Sequence, residues 1–343
     1  MQSAHDDCGG IIQVHATTRC NLACAHCYSH SSPSATAALP VDLVCRAIED
    51  AAQLGFKIVS LSGGEPLVYD GLDDVVATVK RCGSRVNLVS NGILIRSSRY
   101  ERHAGSFSVV ALSLDGLSER HNAIRGSEKS FDQVKAAAAT LRDHGQAFGL
   151  IHTLCSESLD ELEEIAELAS DWGARLFQLH PFEPSGRDLG AVKMTPLSVE
   201  ERLDAYLLAE ILQERFPNMR IQLDLIHREV ARRLPIAIHG APLAEPMVPR
   251  ELVLEETGRL VPLTYGLDRA FAITNIRSAS LDSAWSRYLE TDWPAFRKRL
   301  RRACVAVARG KYGEVAAWHE VVRQYAAARC ATQIPLRLDR LAA

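Results

Sequence analysis

Residues 11–28 read Ile-Ile-Gln-Val-His-Ala-Thr-Thr-Arg-Cys-Asn-Leu-Ala-Cys-Ala-His-Cys-Tyr, a short apolar run that opens into a cysteine-rich loop. The run at 11–17 has the length and bounds of a strand. Outward from it, strands and helices alternate. Helical periodicity over 41–54 stops at Gly55, and a strand at 58–61 ends in Gly63-Gly64-Glu65-Pro66. A helix at 72–81 precedes a strand at 85–89 that ends in Asn91-Gly92. A short helix at 97–103 and a strand at 107–114 follow, ending in Asp115-Gly116. An alanine-rich helix at 131–144, a strand at 148–154, a helix at 159–172 and a strand at 176–180 complete the series. Such alternation predicts a parallel sheet with right-handed crossovers. Six strands fall short of a closed eight-fold barrel of about 250 residues. The expected fold is therefore α/β, a partial (β/α)6 TIM-like barrel with its active site at the C-terminal ends of the strands.

Beyond Pro184 the pattern changes. A helix at 199–214, a strand at 219–225 and a Pro- and Ala-rich stretch at 234–249 precede a hairpin built from 251–260 and 270–276, with helices after it. The chain divides on this reading into a barrel at 1–184, a helical and linker region at 185–250, and a smaller α+β domain at 251–343.

The 343 residues, 47% of them apolar, suffice for a large domain with a smaller one attached. A net charge of −3 gives no global basic field for nucleic acid. The basic run Arg297, Lys298, Arg299, Arg301, Arg302 is interrupted by Leu300 and reads as the solvated face of a helix. Nothing reaches the roughly 18 consecutive apolar residues of a membrane span, and the polar N-terminus lacks a signal peptide's apolar core. A cytoplasmic location is the expectation. The nine cysteines then read as ligands, core residues or catalysts rather than disulfides.

Thiolates are the usual ligands of iron–sulfur clusters, and three rather than four leave one iron open to a substrate. Zinc, with His26 or His30 as fourth ligand, is the chemical alternative for Cys20, Cys24 and Cys27. Cys-x3-Cys-x2-Cys followed by an aromatic resembles the signature of the radical S-adenosylmethionine (SAM) superfamily. The resemblance covers about residues 11–184 and implies a [4Fe-4S] cluster whose open iron chelates SAM. Reductive cleavage of SAM to a 5′-deoxyadenosyl radical then removes a hydrogen atom from the substrate, the hard chemistry belonging to the cofactor.

Other segments carry the same resemblance. Gly63-Gly64-Glu65-Pro66 resembles the family's second motif, where two glycines let backbone approach a ligand and Glu65 accepts from the SAM ammonium. Asn91, and Ser113 with Asp115, end strands where family members hold SAM by polar side chains. Arg125 resembles an arginine that pairs with a SAM or substrate carboxylate. His180, at a strand end, is a candidate for binding SAM or substrate. Cys155 is a candidate hydrogen-atom donor, although free cysteine is also commonly buried.

Residues 252–263 resemble the hairpin that opens the SPASM or Twitch domains of this superfamily, which carry auxiliary clusters. Leu263 stands where a cysteine is expected, and only Cys304 and Cys330 remain beyond residue 250. The reading is a degenerate domain and one cluster in all. The resemblance implies a ribosomal peptide or a small biosynthetic intermediate as substrate, and a donor such as flavodoxin or ferredoxin for the electron. The competing class is a non-catalytic iron–sulfur or zinc module, for which Gly63-Gly64-Glu65-Pro66, Asn91 and Ser113 would be superfluous.

The purified protein is expected to be brown and to hold about four iron atoms per chain. Changing Cys20, Cys24 and Cys27 together to Ala should bleach it. Full iron content in that variant would remove the ligand assignment.

Overall fold

Side chains alternate across each strand, and here the alternation separates helix-facing apolar residues from cavity-facing polar ones. The computed structural model describes residues 9–184, 187, 190, 192–234 and 248–327. Its strands are β1 (Gly10–His15), β2 (Phe56–Ser62), β3 (Arg85–Ser90), β4 (Val109–Ser113), β5 (Phe148–Leu154), β6 (Leu176–Pro181), β7 (Arg220–Leu223), β8 (Leu225–His227), β9 (Glu251–Leu254), β10 (Arg259–Pro262), β11 (Thr274–Asn275) and β12 (Val315–Ala317). Helices α1 (Val41–Gln53), α2 (Leu72–Arg81), α3 (Ser98–Glu101), α4 (Ser118–Arg125), α5 (Ser130–Asp143), α6 (Leu162–Trp172) and α7 (Val199–Arg215) accompany the first seven strands. Helices α8 (Arg228–Arg233), α9 (Leu281–Thr291), α10 (Trp293–Ala308) and α11 (Trp318–Ala327) belong to the C-terminal part.

The main sheet has the order β11-β10-β9-β1-β2-β3-β4-β5-β6-β7. From β9 through β1 to β7 every neighbouring pair is parallel. The fold is thus the expected α/β partial barrel. Its parallel arc is wider than six strands, because β7 adds to β6 and β9 adds to β1, with Ile11 opposite Glu251 and Val14 opposite Leu254. The hairpin of β9 and β10, with β11, continues the barrel sheet past its β1 edge. Among the described residues no pairing joins β7 to β9, so the arc stays open.

The outward faces form the core. Ile12 and Val14 of β1, Val59 and Leu61 of β2, and Phe177 and Leu179 of β6 are buried. Helix α1 meets β1 and β2 with Val44, Ala47, Ile48 and Ala51, an i, i+3, i+4, i+7 stripe. Each fully buried Val, Leu or Ile contributes about 1.5–3 kcal/mol. Helix α10 has the two faces expected of it: Lys298, Arg301 and Arg302 are exposed, while Phe296 and Leu300 are buried. Among the described residues no helix is long and apolar enough to cross a membrane.

The antiparallel ribbon of β8 and β12 leads into α11. Arg323 of α11 forms an ion pair with Glu183, which follows β6, and donates to Thr264 Oγ1, which follows β10, at 3.1 Å. One helix therefore spans from the β6 side of the arc to the hairpin side.

Phe296 packs at a tilt against Phe271 at 5.0 Å and Trp293 at 5.7 Å between ring centres, and it is fully buried. Phe296→Ala is expected to cost about 3–5 kcal/mol. The check is the urea midpoint at unchanged slope; a loss well under 1 kcal/mol would contradict this packing.

Candidate active site

Cys20, Cys24 and Cys27 border one cavity of about 750 Å³ at the C-terminal ends of the strands, together with Gly63, Gly64, Asn91, Ser113, Arg125 and His180. Backbone pairing shapes the cysteine loop. Thr18 N–H donates to the Ala37 carbonyl at 2.9 Å and Cys20 N–H to the Ser32 carbonyl at 3.1 Å. The glycine turn holds the loop from β2: Gly64 N–H donates to the Thr17 carbonyl at 2.8 Å and Glu65 N–H to the Arg19 carbonyl at 2.9 Å. Gly63 has φ +102°, a conformation for glycine. A Cβ at Gly64 would stand 2.1 Å from the Arg19 carbonyl oxygen. Gly64 is therefore glycine because the cysteine loop crosses it, a different reason from ligand approach.

Glu65 corrects the expectation of a SAM-facing carboxylate. It is fully buried and absent from the cavity wall. Its carboxylate accepts from Leu67 N–H at 3.2 Å, Ser90 Oγ–H at 3.1 Å and Asn91 N–H at 2.9 Å. Burial pushes its pKa up to about 7 against these donors. Its work is to fix the end of β3. Asn91, so fixed, donates from Nδ2 to Asn21 Oδ1 at 2.6 Å and lies 3.7 Å from Cys20 Sγ.

A second polar group grips the loop from β4. Arg125, the last residue of α4, stands 2.6 Å from Asp115 Oδ2 and 3.7 Å from Cys24 Sγ. His26 Nε2 stands 3.1 Å from the same Asp115 oxygen. Burial works against the Asp115 charge, yet Arg125 and His26 hold its carboxyl well below the usual range. Burial pushes the Cys20 thiol up to about 12, and it raises the Cys24 thiol against the pull of Arg125. Ala25 N–H donates to the Ile124 carbonyl at 2.8 Å, so backbone and side chains of α4 both hold the loop. His26, one candidate for a fourth zinc ligand, is turned to Asp115.

The rest of the wall includes His180, as expected, and residues that sequence reading missed. Asp224 pairs with His180, and Gln13, Gln178, Gln222, Glu251, His319 and Arg323 border the same cavity. A signal was present in the sequence: Gln13 with His15, Ser60 with Ser62, Gln178 with His180 and Gln222 with Asp224 are polar pairs two residues apart at strand ends. His15 stacks on Tyr265 at 4.9 Å, and Tyr28 meets Tyr265 edge-on at 5.0 Å. Leu263 also borders the cavity, at φ +73°, inside a γ-turn closed by Thr264 N–H to the Pro262 carbonyl at 2.9 Å.

Cys155 does not reach the cavity. It is fully buried against Ile124, Phe182 and Met194, because the turn after β5 carries it outward while Thr153 faces in. A hydrogen-atom donor role is therefore withdrawn. Cys304 is a buried residue of α10, and Cys8 and Cys330 lie outside the described residues.

The residues present fit a cluster with a polar ligand beside it. Three thiols share the cavity, and buried polar atoms of its wall lack partners among the described residues: His26 Nδ1, Arg125 Nε and both ring nitrogens of His15. A parallel partial barrel with a thiol triad and a glycine turn over its strand ends defines an α/β protein with a thiol-lined cavity. Residues 14–169 match the profile of the Radical SAM superfamily. That segment, a little under half of the chain, resembles the domain shared by the superfamily. The chain is 30% identical over 196 residues to an AdoMet-dependent heme synthase of Methanosarcina barkeri, covering 56% of each chain. It is 28% identical over 198 residues to the subtilosin biosynthesis protein AlbA of Bacillus subtilis, covering 56% of this chain and 44% of AlbA. The chain thus spans about half the length of these curated relatives. The structure of Streptococcus suis SuiB bound to its precursor peptide SuiA superposes with a TM-score of 0.67 at 18% identity, over 88% of this chain and 71% of SuiB. That likeness is one of fold.

Gly64→Ala is expected to displace the Arg19 carbonyl and lose iron. A variant that kept its iron and lost only SAM affinity would restore the ligand-approach explanation.

Proposed function

We propose that this chain binds one [4Fe-4S] cluster through Cys20, Cys24 and Cys27, cleaves SAM there, and acts on a ribosomal peptide or a small biosynthetic intermediate. The observation that carries this reading is the shared cavity of the three thiols with Gly63, Gly64, Asn91, Ser113 and Arg125. Bound there, the cluster would supply the electron that splits SAM into methionine and a 5′-deoxyadenosyl radical able to take a hydrogen atom from substrate.

The chain's own residues hold and shield that chemistry. Asn91 ties the end of β3 to Asn21 of the cysteine loop. Arg125 sets a fixed positive charge beside Cys24, offsetting the negative charge of a thiolate ligand. Ser113 and the peptide groups of Gly63 and Gly64 offer hydrogen-bonding partners for a bound amino acid moiety. Glu65 and Asp115 act behind this surface as positioning residues. Leu263 has no lone pair for iron, which favours a hairpin that serves as a substrate wall without an auxiliary cluster. The likeness of that hairpin to SPASM domains belongs to this proposal. A peptide substrate is favoured by the names of AlbA, the sporulation killing factor maturation protein SkfB, and SuiB with its precursor peptide. A flavodoxin or ferredoxin would supply the electron.

Anaerobic reconstitution with iron and sulfide, followed by SAM and dithionite, should yield 5′-deoxyadenosine, and the Cys20/Cys24/Cys27 triple Ala variant should yield none. A fully iron-loaded wild type that releases no 5′-deoxyadenosine would favour the non-catalytic module instead.

A further inference from the structure

The cavity wall carries an imbalance of charge. Asp115, Glu183, Asp224 and Glu251 all border the cavity. Asp115 is matched by Arg125 and Glu183 by Arg323, so both arginines of this wall are committed. Asp224 is paired with His180. Glu251 has neither an ion pair nor a side-chain hydrogen bond among the described residues; burial pushes its carboxyl up, and the charge of Asp224 adds to the push. A partly buried carboxylate without a counterion is disfavoured, and a cation beside Glu251 would relieve both its desolvation and the repulsion from Asp224.

A second observation is independent of the acids. His15 is 1% exposed, and neither ring nitrogen has a partner among the described residues. Buried polar groups are paired in nearly all folded proteins, so an unpartnered imbalance of this kind on a cavity wall marks a ligand contact. Burial lowers the His15 pKa to about 4, so near neutral pH the ring can accept one hydrogen bond and donate another. Its stacking with Tyr265 adds aromatic surface, which also attracts cations.

We propose that the cavity takes its substrate by a basic nitrogen group, an alkyl amine or guanidinium, held by Glu251 and Asp224 with His15 bonded to the same ligand. The proposal rests on the reading of this cavity as the substrate site and narrows the substrate class within it. A lysine or arginine side chain of a peptide and a free diamine share this chemistry.

The test is calorimetric titration of the reconstituted, SAM-loaded protein with agmatine, which carries both an amine and a guanidinium, and separately with glutarate. Agmatine should bind and glutarate should not. Glu251→Gln should weaken agmatine binding by roughly tenfold or more, as loss of a charge-assisted contact implies, and Asp224→Asn serves as a second variant. Iron content and SAM affinity of each variant report whether it is folded. The proposal is overturned if the wild type fails to bind agmatine, if glutarate binds equally well, or if a folded Glu251→Gln variant binds agmatine as the wild type does. Release of 5′-deoxyadenosine by the same wild-type sample tests the enzyme reading separately. Nα-acetyl-lysine N-methylamide, whose α-nitrogen is acylated as in a peptide, in place of agmatine distinguishes the peptide source from the free diamine.

Discussion

Two backbone hydrogen bonds, from the N–H groups of Gly64 and Glu65 to the carbonyls of Thr17 and Arg19, fasten the cysteine loop to the end of β2. Everything at the cavity depends on that contact, because a loop of irregular backbone has no ladder of its own to fix it. The contact needs two strand ends to approach to backbone distance, and the absence of a Cβ at Gly64 permits it. From there the order spreads sideways. The Glu65 carboxylate ties in Ser90 and Asn91, and Asn91 reaches back to Asn21. A closed circuit thus links three segments, each polar member meeting another, which is the condition under which buried polar networks rigidify.

The β4 side repeats the logic with charge. Asp115 accepts from Thr153 N–H, receives Arg125 and His26, and donates its own N–H to His121. Breaking one partner of such a buried group leaves an uncompensated charge, commonly at a cost of about 3–5 kcal/mol. The loop is therefore gripped from β2 by peptide groups and from β4 by an ionic cluster. The thiols hang between the two.

Much of this was legible in the sequence, and the limits have physical causes. The first six strands were marked by glycine stops and by apolar runs too short for helices. The triad spacing marked the loop that brings three thiols to the cavity, the strand ends marked Asn91 and Ser113, and the segment after β4 marked Arg125, all of which border that cavity. The places of β7 and β9 in the sheet were not legible: each is four residues long, and pairing to β6 and β1 is set by long-range packing that local pattern does not encode. Glu65 was given the wrong partner because a motif names residue types but not the direction a carboxylate turns. Cys155 was misplaced because the alternation rule lapses where a strand ends in a turn. The polar pairs on the inner face, such as Gln178 with His180, obeyed that rule and were overlooked among apolar neighbours.

The open arc has a consequence for how such a cavity can change. In a closed barrel the radius is dictated by strand number and shear, so resizing the interior means re-registering every strand. Here no hydrogen-bond ladder crosses from β7 to β9, and the span is bridged by side chains of α11, with Arg323 reaching both Glu183 and Thr264. Substitutions on one helix can then recalibrate the width and polarity of the chamber while the thiol-bearing rim keeps its shape. The thiol-bearing rim and the chamber width thus rest on different contacts, the first on β2 and β4 and the second on α11.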